Sequence, residues 1–168
     1  MSLTKPFPER RRPTSPEPER RAWLLSGKLF PLVHWVFIIK EYHHPDIDSS
    51  ERPAMFALVD KHPDTLRPMI GLYPGSVGEG WKAEVDDMVR FLDRWEAETR
   101  RKVVAVGEIG LDYHEGKEFA REQKEALEWQ LDFAARRGLP VNIHLRDAMG
   151  DFLEMIRRHK GLRGNMHA

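Results

Sequence analysis

Val103-Val104-Ala105-Val106-Gly107-Glu108-Ile109-Gly110-Leu111-Asp112-Tyr113 and Leu139-Pro140-Val141-Asn142-Ile143-His144-Leu145-Arg146-Asp147-Ala148 decide the fold. Each is a β-branched, nearly continuous apolar run, the pattern of a strand buried on both faces of a parallel sheet. Each carries a metal-ligating residue, Glu108 or His144, toward its outgoing end. A shorter run, Gly164-Asn165-Met166-His167, repeats the arrangement. Between the runs lie helical patterns. Val85, Met88, Val89, Leu92 and Trp95 recur at three- and four-residue steps from Lys82 to about Arg100, and Phe119, Leu127, Leu131 and Ala134 mark a second helix over 118–137. Arg136 and Arg137 suit the last turn of that helix, and Gly138 with Pro140 ends it. Residues 151–160 make a last helix, with Phe152, Leu153, Met155 and Ile156 inward. A strand over 67–72, closed by the turn at Tyr73-Pro74-Gly75, and a short helix over 54–61 complete the β-α-β-α-β-α-β order. Right-handed crossovers then make the strands parallel, with their carboxyl ends on one rim. Glu108, His144 and His167 are therefore expected to converge there, and a carboxylate with two imidazoles suits Zn²⁺, Mn²⁺ or a similar ion.

These runs resemble motifs of the TatD-like metal-dependent deoxyribonucleases, hydrolases built on a (β/α)8 barrel of TIM type. Gly107-Glu108-Ile109-Gly110-Leu111-Asp112-Tyr113 is similar to the family's Glu-bearing motif, with Gln123 on the following helix as in many members. Val141-Asn142-Ile143-His144-Leu145-Arg146-Asp147-Ala148 is similar to its His-bearing motif, Leu145 standing where a small polar residue is common. Gly164 to Ala168 resembles the opening of the next motif, and Ile70-Gly71-Leu72-Tyr73-Pro74 resembles the family's GLHP turn with Tyr73 in place of His. The resemblance covers about residues 54–168. It implies an α/β fold, metal-dependent hydrolysis of DNA as a 3′–5′ exonuclease, and a centre of divalent ions (Zn, Mn or Mg, two in the complete site) to which Glu108, His144 and His167 contribute. Tyr113 and Arg146, just beyond the strand ends, are the residues expected to meet substrate. No catalytic proton carrier is assigned. The family's His-x-His strand and its later Asp-bearing strand have no counterpart in this sequence. A full barrel needs roughly 200 residues or more, so an incomplete barrel, central strands and helices only, is expected from 168 residues. Two other readings stay open: a related metal hydrolase acting on a small amide or ester, and a non-catalytic barrel fragment.

Composition bounds the remainder. With 40% hydrophobic and 32% charged residues the chain is an ordinary globular type. Lys+Arg and Asp+Glu both number 27, so attraction to DNA must come from a local basic surface and not from net charge. The absence of Cys excludes disulfides, thiolate metal sites and a Cys nucleophile, with a reducing cytoplasm as the default compartment. Residues 1–22 alternate Pro and Arg and are expected to form a disordered basic arm. Residues 23–53 form an atypical N-terminal segment with one strand at Val33–Ile39. Its apolar run is broken by Pro31 and His34, so no membrane span is expected. The paired His43 and His44 face opposite ways in an extended chain and are a poor substitute for His-x-His. Open edges on an incomplete sheet would favour self-association.

Overall fold

The computed structural model describes residues 52–114 and 116–167. The arm expected over 1–22 and nearly all of the 23–53 segment, with its strand, lie outside the described residues. Helix α1 (Arg52–Lys61) is followed by strand β1 (Met69–Ile70), helix α2 (Trp81–Thr99), β2 (Ala105–Asp112), α3 (Ala120–Arg137), β3 (Val141–Arg146), α4 (Met149–Ile156) and β4 (Gly164–His167). The four strands form one sheet in the order β1-β2-β3-β4, and every neighbouring pair is parallel. Strands in chain order joined by helices form a partial TIM-barrel-like α/β arrangement. All strand exits share one rim.

The core lies between sheet and helices. Val106, Ile109, Leu111, Val141, Ile143 and Leu145 are buried, as are Val85, Met88, Leu92 and Trp95 of α2 and Leu127, Leu131 and Ala134 of α3. The three- and four-residue spacing that predicts α2 and α3 is thus the spacing of their buried faces. Phe56 of α1 meets Phe91 and Trp95 edge-on at 5.0 and 4.8 Å, and Trp95 donates its indole N–H to Asp60 at 3.1 Å, which docks α1 on α2. Helix α3 ends as its sequence predicts: Gly138 takes a left-handed φ of 66° and its N–H returns to the carbonyls of Ala134 and Ala135.

Two local expectations change. The strand read over 67–72 shrinks to Met69–Ile70. Pro68 offers no N–H to a ladder, and the peptide groups of Leu72 are bonded to the Gln130 side chain and not to a neighbouring strand. Leu153 is 45% exposed, because α4 starts at Met149 and turns Phe152 and Met155 inward. The His159 side chain is only 7% exposed, placed between Glu128 at 3.1 Å and Asp132 at 3.5 Å.

Candidate metal centre

Strands β2 and β3 run in register at their exits, with Gly110 opposite His144 and Asp112 opposite Arg146. The β2 ladder slips between Val106 and Ile109, where the Gly107–Glu108 peptide is cis. Close packing at this point needs glycine. A Cβ on Gly110 would lie 1.8 Å from the His144 carbonyl oxygen, and its φ of 154° is one that other residues rarely adopt.

The His144 ring is the hub of the rim. Its Nδ1 lies 3.2 Å from Glu108 Oε1, and its Nε2 lies 2.8 Å from Asp112 Oδ2. The Tyr73 hydroxyl is 3.5 Å from the same Nε2, and the two rings meet edge-on with centroids 5.1 Å apart. Asp112 is 1% exposed, whereas the Glu108 and His144 side chains are 20% and 13% exposed, so an approaching species meets the latter two first. Burial resists charging the imidazole, but the hydrogen bonds and charges of Glu108 and Asp112 outweigh it and raise the His144 pKa above its ordinary value.

Asp112 is itself held on every side. Its Oδ1 accepts the His114 N–H at 2.9 Å, and Gln123 of α3 accepts its backbone N–H at 2.8 Å and donates to its carbonyl at 3.0 Å.

Of the three expected ligands, the structure brings Glu108 and His144 together. His167, on the adjacent strand β4, is paired with His144 in backbone register. Arg146 is exposed at the exit of β3. Tyr113 stands beyond β2, but its hydroxyl donates to Asp151 at 2.6 Å, and Asp151 is 3.1 Å from Lys124. That engagement raises the Tyr113 pKa, through burial first and Asp151 second. Gln130, which sequence reasoning did not single out, is 1% exposed and holds the loop that carries Tyr73. Its signal was a polar residue within the apolar stripe of α3.

Glu108 and His144 fit a metal in kind and spacing. Two bonds of about 2.0–2.2 Å meeting at a near-tetrahedral angle place donor atoms roughly 3.3–3.5 Å apart, close to the 3.2 Å observed. Asp112 on the far nitrogen is the carboxylate that commonly orients a ligating imidazole. In number they fall short. Among the described residues no three His, Asp or Glu side chains gather as a group able to hold an ion. Two clefts, of about 500 and 470 Å³, lie along α3 against α4 and against the end of α2, and neither is lined by Glu108 or His144.

Residues 38–168 match the sequence model of the family described as TatD related DNase. The chain is 31% identical over 110 residues to the 3′-5′ ssDNA/RNA exonuclease TatD of Dickeya dadantii, covering 66% of this chain and 39% of that protein. It is 30% identical over 115 residues to the uncharacterized metal-dependent hydrolase MG009 of Mycoplasma genitalium, covering 68% of this chain and 42% of that one. The crystal structure of YJJV, a TatD homolog from Escherichia coli, superposes with a TM-score of 0.58 at 30% identity, covering 68% of this chain and 42% of that one. A TatD family hydrolase from Entamoeba histolytica, at 21% identity and the same TM-score of 0.58, shares the fold over 70% of this chain and 40% of its own. The chain spans about two-fifths of the length of the relatives it matches.

Proposed function

The chain belongs to the TatD-related DNase family of metal-dependent hydrolases, and on that premise we propose that it carries one side of a phosphodiester-hydrolysing centre that acts on DNA as a 3′–5′ exonuclease. The observation that carries this reading is the Glu108–His144–Asp112 chain at the strand exits. A bound divalent ion supplies an acidified water and neutralises a phosphate oxygen, the two things a phosphodiester needs for attack. Glu108 and His144 would be donors to that ion, with His167 as the third from its register position beside His144 on β4. Asp112 takes the ring N–H at Nε2 and so leaves the Nδ1 lone pair facing Glu108. Arg146, exposed where β3 ends, would meet a substrate phosphate. The Tyr113 hydroxyl is already engaged by Asp151, so what remains to offer substrate is its ring.

The four parallel strands are read as consecutive staves of a (β/α)8 barrel within residues 54–168, preceded by a basic arm at 1–22 and an atypical segment at 23–53, whose residues from 38 onward fall within the family match. Donors beyond the described residues would complete the centre. Among the described residues no helix is long and apolar enough to cross a membrane; a cytoplasmic site of action remains part of the proposal, as does self-association along the β4 edge. The shortfall in donors favours one alternative, a barrel fragment without catalysis.

Calorimetric titration with Mn²⁺ and Zn²⁺, on the parent chain and on Glu108→Ala and His144→Ala, tests the proposal. Single-stranded DNA digestion follows for any form that binds. Site-specific binding lost in both variants is the expected result. Binding that is absent, or that survives both substitutions, refutes the centre and leaves the non-catalytic reading.

A further inference from the structure

We propose that Gln123 and Gln130, the two buried amides of α3, are positioning residues for His144, Gln123 acting through Asp112 and Gln130 through Tyr73. The inference deepens the function proposed above and takes its catalytic meaning from it. The two residues are seven apart, nearly two whole turns, and so lie on one face of the helix. Both are buried, at 0% and 1% exposure. An amide in such a place is costly unless its donor and acceptor are both used. Each glutamine meets that need with the same device, two hydrogen bonds to the two sides of one residue's backbone. Gln130 accepts the Leu72 N–H at 2.7 Å and donates to the Leu72 carbonyl at 3.2 Å. Gln123 accepts the Asp112 N–H at 2.8 Å and donates to the Asp112 carbonyl at 3.0 Å, with a further bond to Gly116 at 3.1 Å. The side chain stands in for a neighbouring strand at the point where each ladder ends.

What distinguishes this from general packing is the identity of the clamped residues. Asp112 touches His144 Nε2 directly at 2.8 Å. Leu72 immediately precedes Tyr73, whose hydroxyl lies 3.5 Å from the same nitrogen and whose ring meets the imidazole edge-on. One helix therefore fixes both residues that bound the Nε2 side of the ring, and Nδ1 is left facing Glu108 at 3.2 Å. Neither glutamine touches His144. A ligand needs its orientation held within about 0.5 Å, and such supporting contacts are what hold it.

The test uses the metal-free chain at one fixed pH, with ¹⁵N-labelled histidine and the His144 ring signals assigned by comparison with His144→Ala. Gln123→Met and Gln130→Met keep length and remove the amide. Both are expected to move the His144 ring signals, and to weaken Zn²⁺ binding by about 10-fold or more where the parent binds. Variants that lose stability in urea while the His144 signals stay at parental positions would overturn the proposal, because that is the behaviour of packing alone. In a Tyr73→Leu background, Gln130→Met should move the His144 signals no further, and an undiminished second shift would refute the route through Tyr73. Should Gln130→Met fail to fold, Tyr73→Leu alone decides that arm: the Leu72 amide stays protected from exchange while the His144 signals move, and unmoved signals overturn it. A parent that binds no Zn²⁺ removes the function proposed above, yet the ring signals still decide the positioning.

Discussion

Asp112→Asn is the most informative single substitution at the rim, because it keeps the shape of a side chain that is 1% exposed and removes only its charge. The asparagine oxygen can still accept the His114 N–H that Asp112 accepts at 2.9 Å. Its NH₂ group then faces His144 Nε2, where the carboxylate oxygen stood at 2.8 Å. A donor there requires Nε2 to accept, so the ring proton moves to Nδ1, toward Glu108. The free energy at stake is the difference between a charge-assisted hydrogen bond, about 1.5–3 kcal/mol, and a neutral one near 1 kcal/mol. A loss of about 1 kcal/mol or slightly more in urea unfolding is expected. The effect on metal should be larger, since the proton now occupies the lone pair that would bind it. Loss of an orienting carboxylate typically weakens metal affinity 10–100-fold, or about 1.4–2.8 kcal/mol. The sign of the pH dependence follows from the raised His144 pKa. A histidine raised above its unfolded value of about 6.5 gives stability that is fully present below that pH and lost as pH rises through the folded value. Asp112→Asn should flatten that slope above about pH 6.5. Zn²⁺ titration and urea midpoints across that range provide the measurement. A variant that binds Zn²⁺ as tightly as the parent and retains the same pH slope would refute the assignment of Asp112 as the residue that orients His144.

Gly110→Ala should give no soluble folded protein, a loss above about 4 kcal/mol, since its Cβ would fall 1.8 Å from the His144 carbonyl oxygen; normal expression and melting would show that the β2–β3 contact is looser than described. Leu127→Ala, at a site 0% exposed between α3 and the sheet, should cost about 2–5 kcal/mol in urea unfolding, with the metal-site residues unchanged in their ring signals. The Glu128 carboxyl is held below its usual range by the Arg158 hydrogen bond first, against burial, with His159 adding to it. Its contribution is therefore present above about pH 4.3 and fades as pH falls through the lowered value. Because the carboxylate is 36% exposed, solvent and salt screen it, so Glu128→Gln should change the melting temperature little, and less still in high salt. A large, salt-independent loss would contradict that.

The order of elements was legible from periodicity, and the reason is physical. At Val85, Met88, Leu92 and Trp95 of α2, at Leu127, Leu131 and Ala134 of α3, and in β2 and β3 the apolar positions are the buried positions, so spacing alone reports the packing; Phe119 instead falls in the 3₁₀ turn before α3, and Val89 is only partly buried. Periodicity failed where a backbone group is satisfied by a side chain distant in sequence. The span 67–72 reads as a strand, yet its last residue is bonded to Gln130, 58 positions away. Nothing in 67–72 itself carries that information. Exposure of α4 was misread for a related reason. A helix of eight residues presents too few turns for its apolar stripe to be phased, and Leu153 fell on the wrong side.

The site divides along the same line. Glu108 and His144 could be found because each ends an apolar run, and parallel strands bring such ends to one rim. Asp112 and Gln130 could not be found that way, since their importance lies in hydrogen bonds at 2.7–2.8 Å to partners on other elements. One sequence signal pointed to them without naming the partner. Helix α3 places Gln123 and Gln130 among Ala126, Leu127, Leu131 and Ala134, all buried. A polar residue within an apolar stripe must find partners, and on a helix that packs beneath strand exits the groups left unpaired are the peptides where the ladders stop. Read in that sense, a buried glutamine facing a sheet marks where a strand ends, and the residues next to that end are the ones placed to carry chemistry.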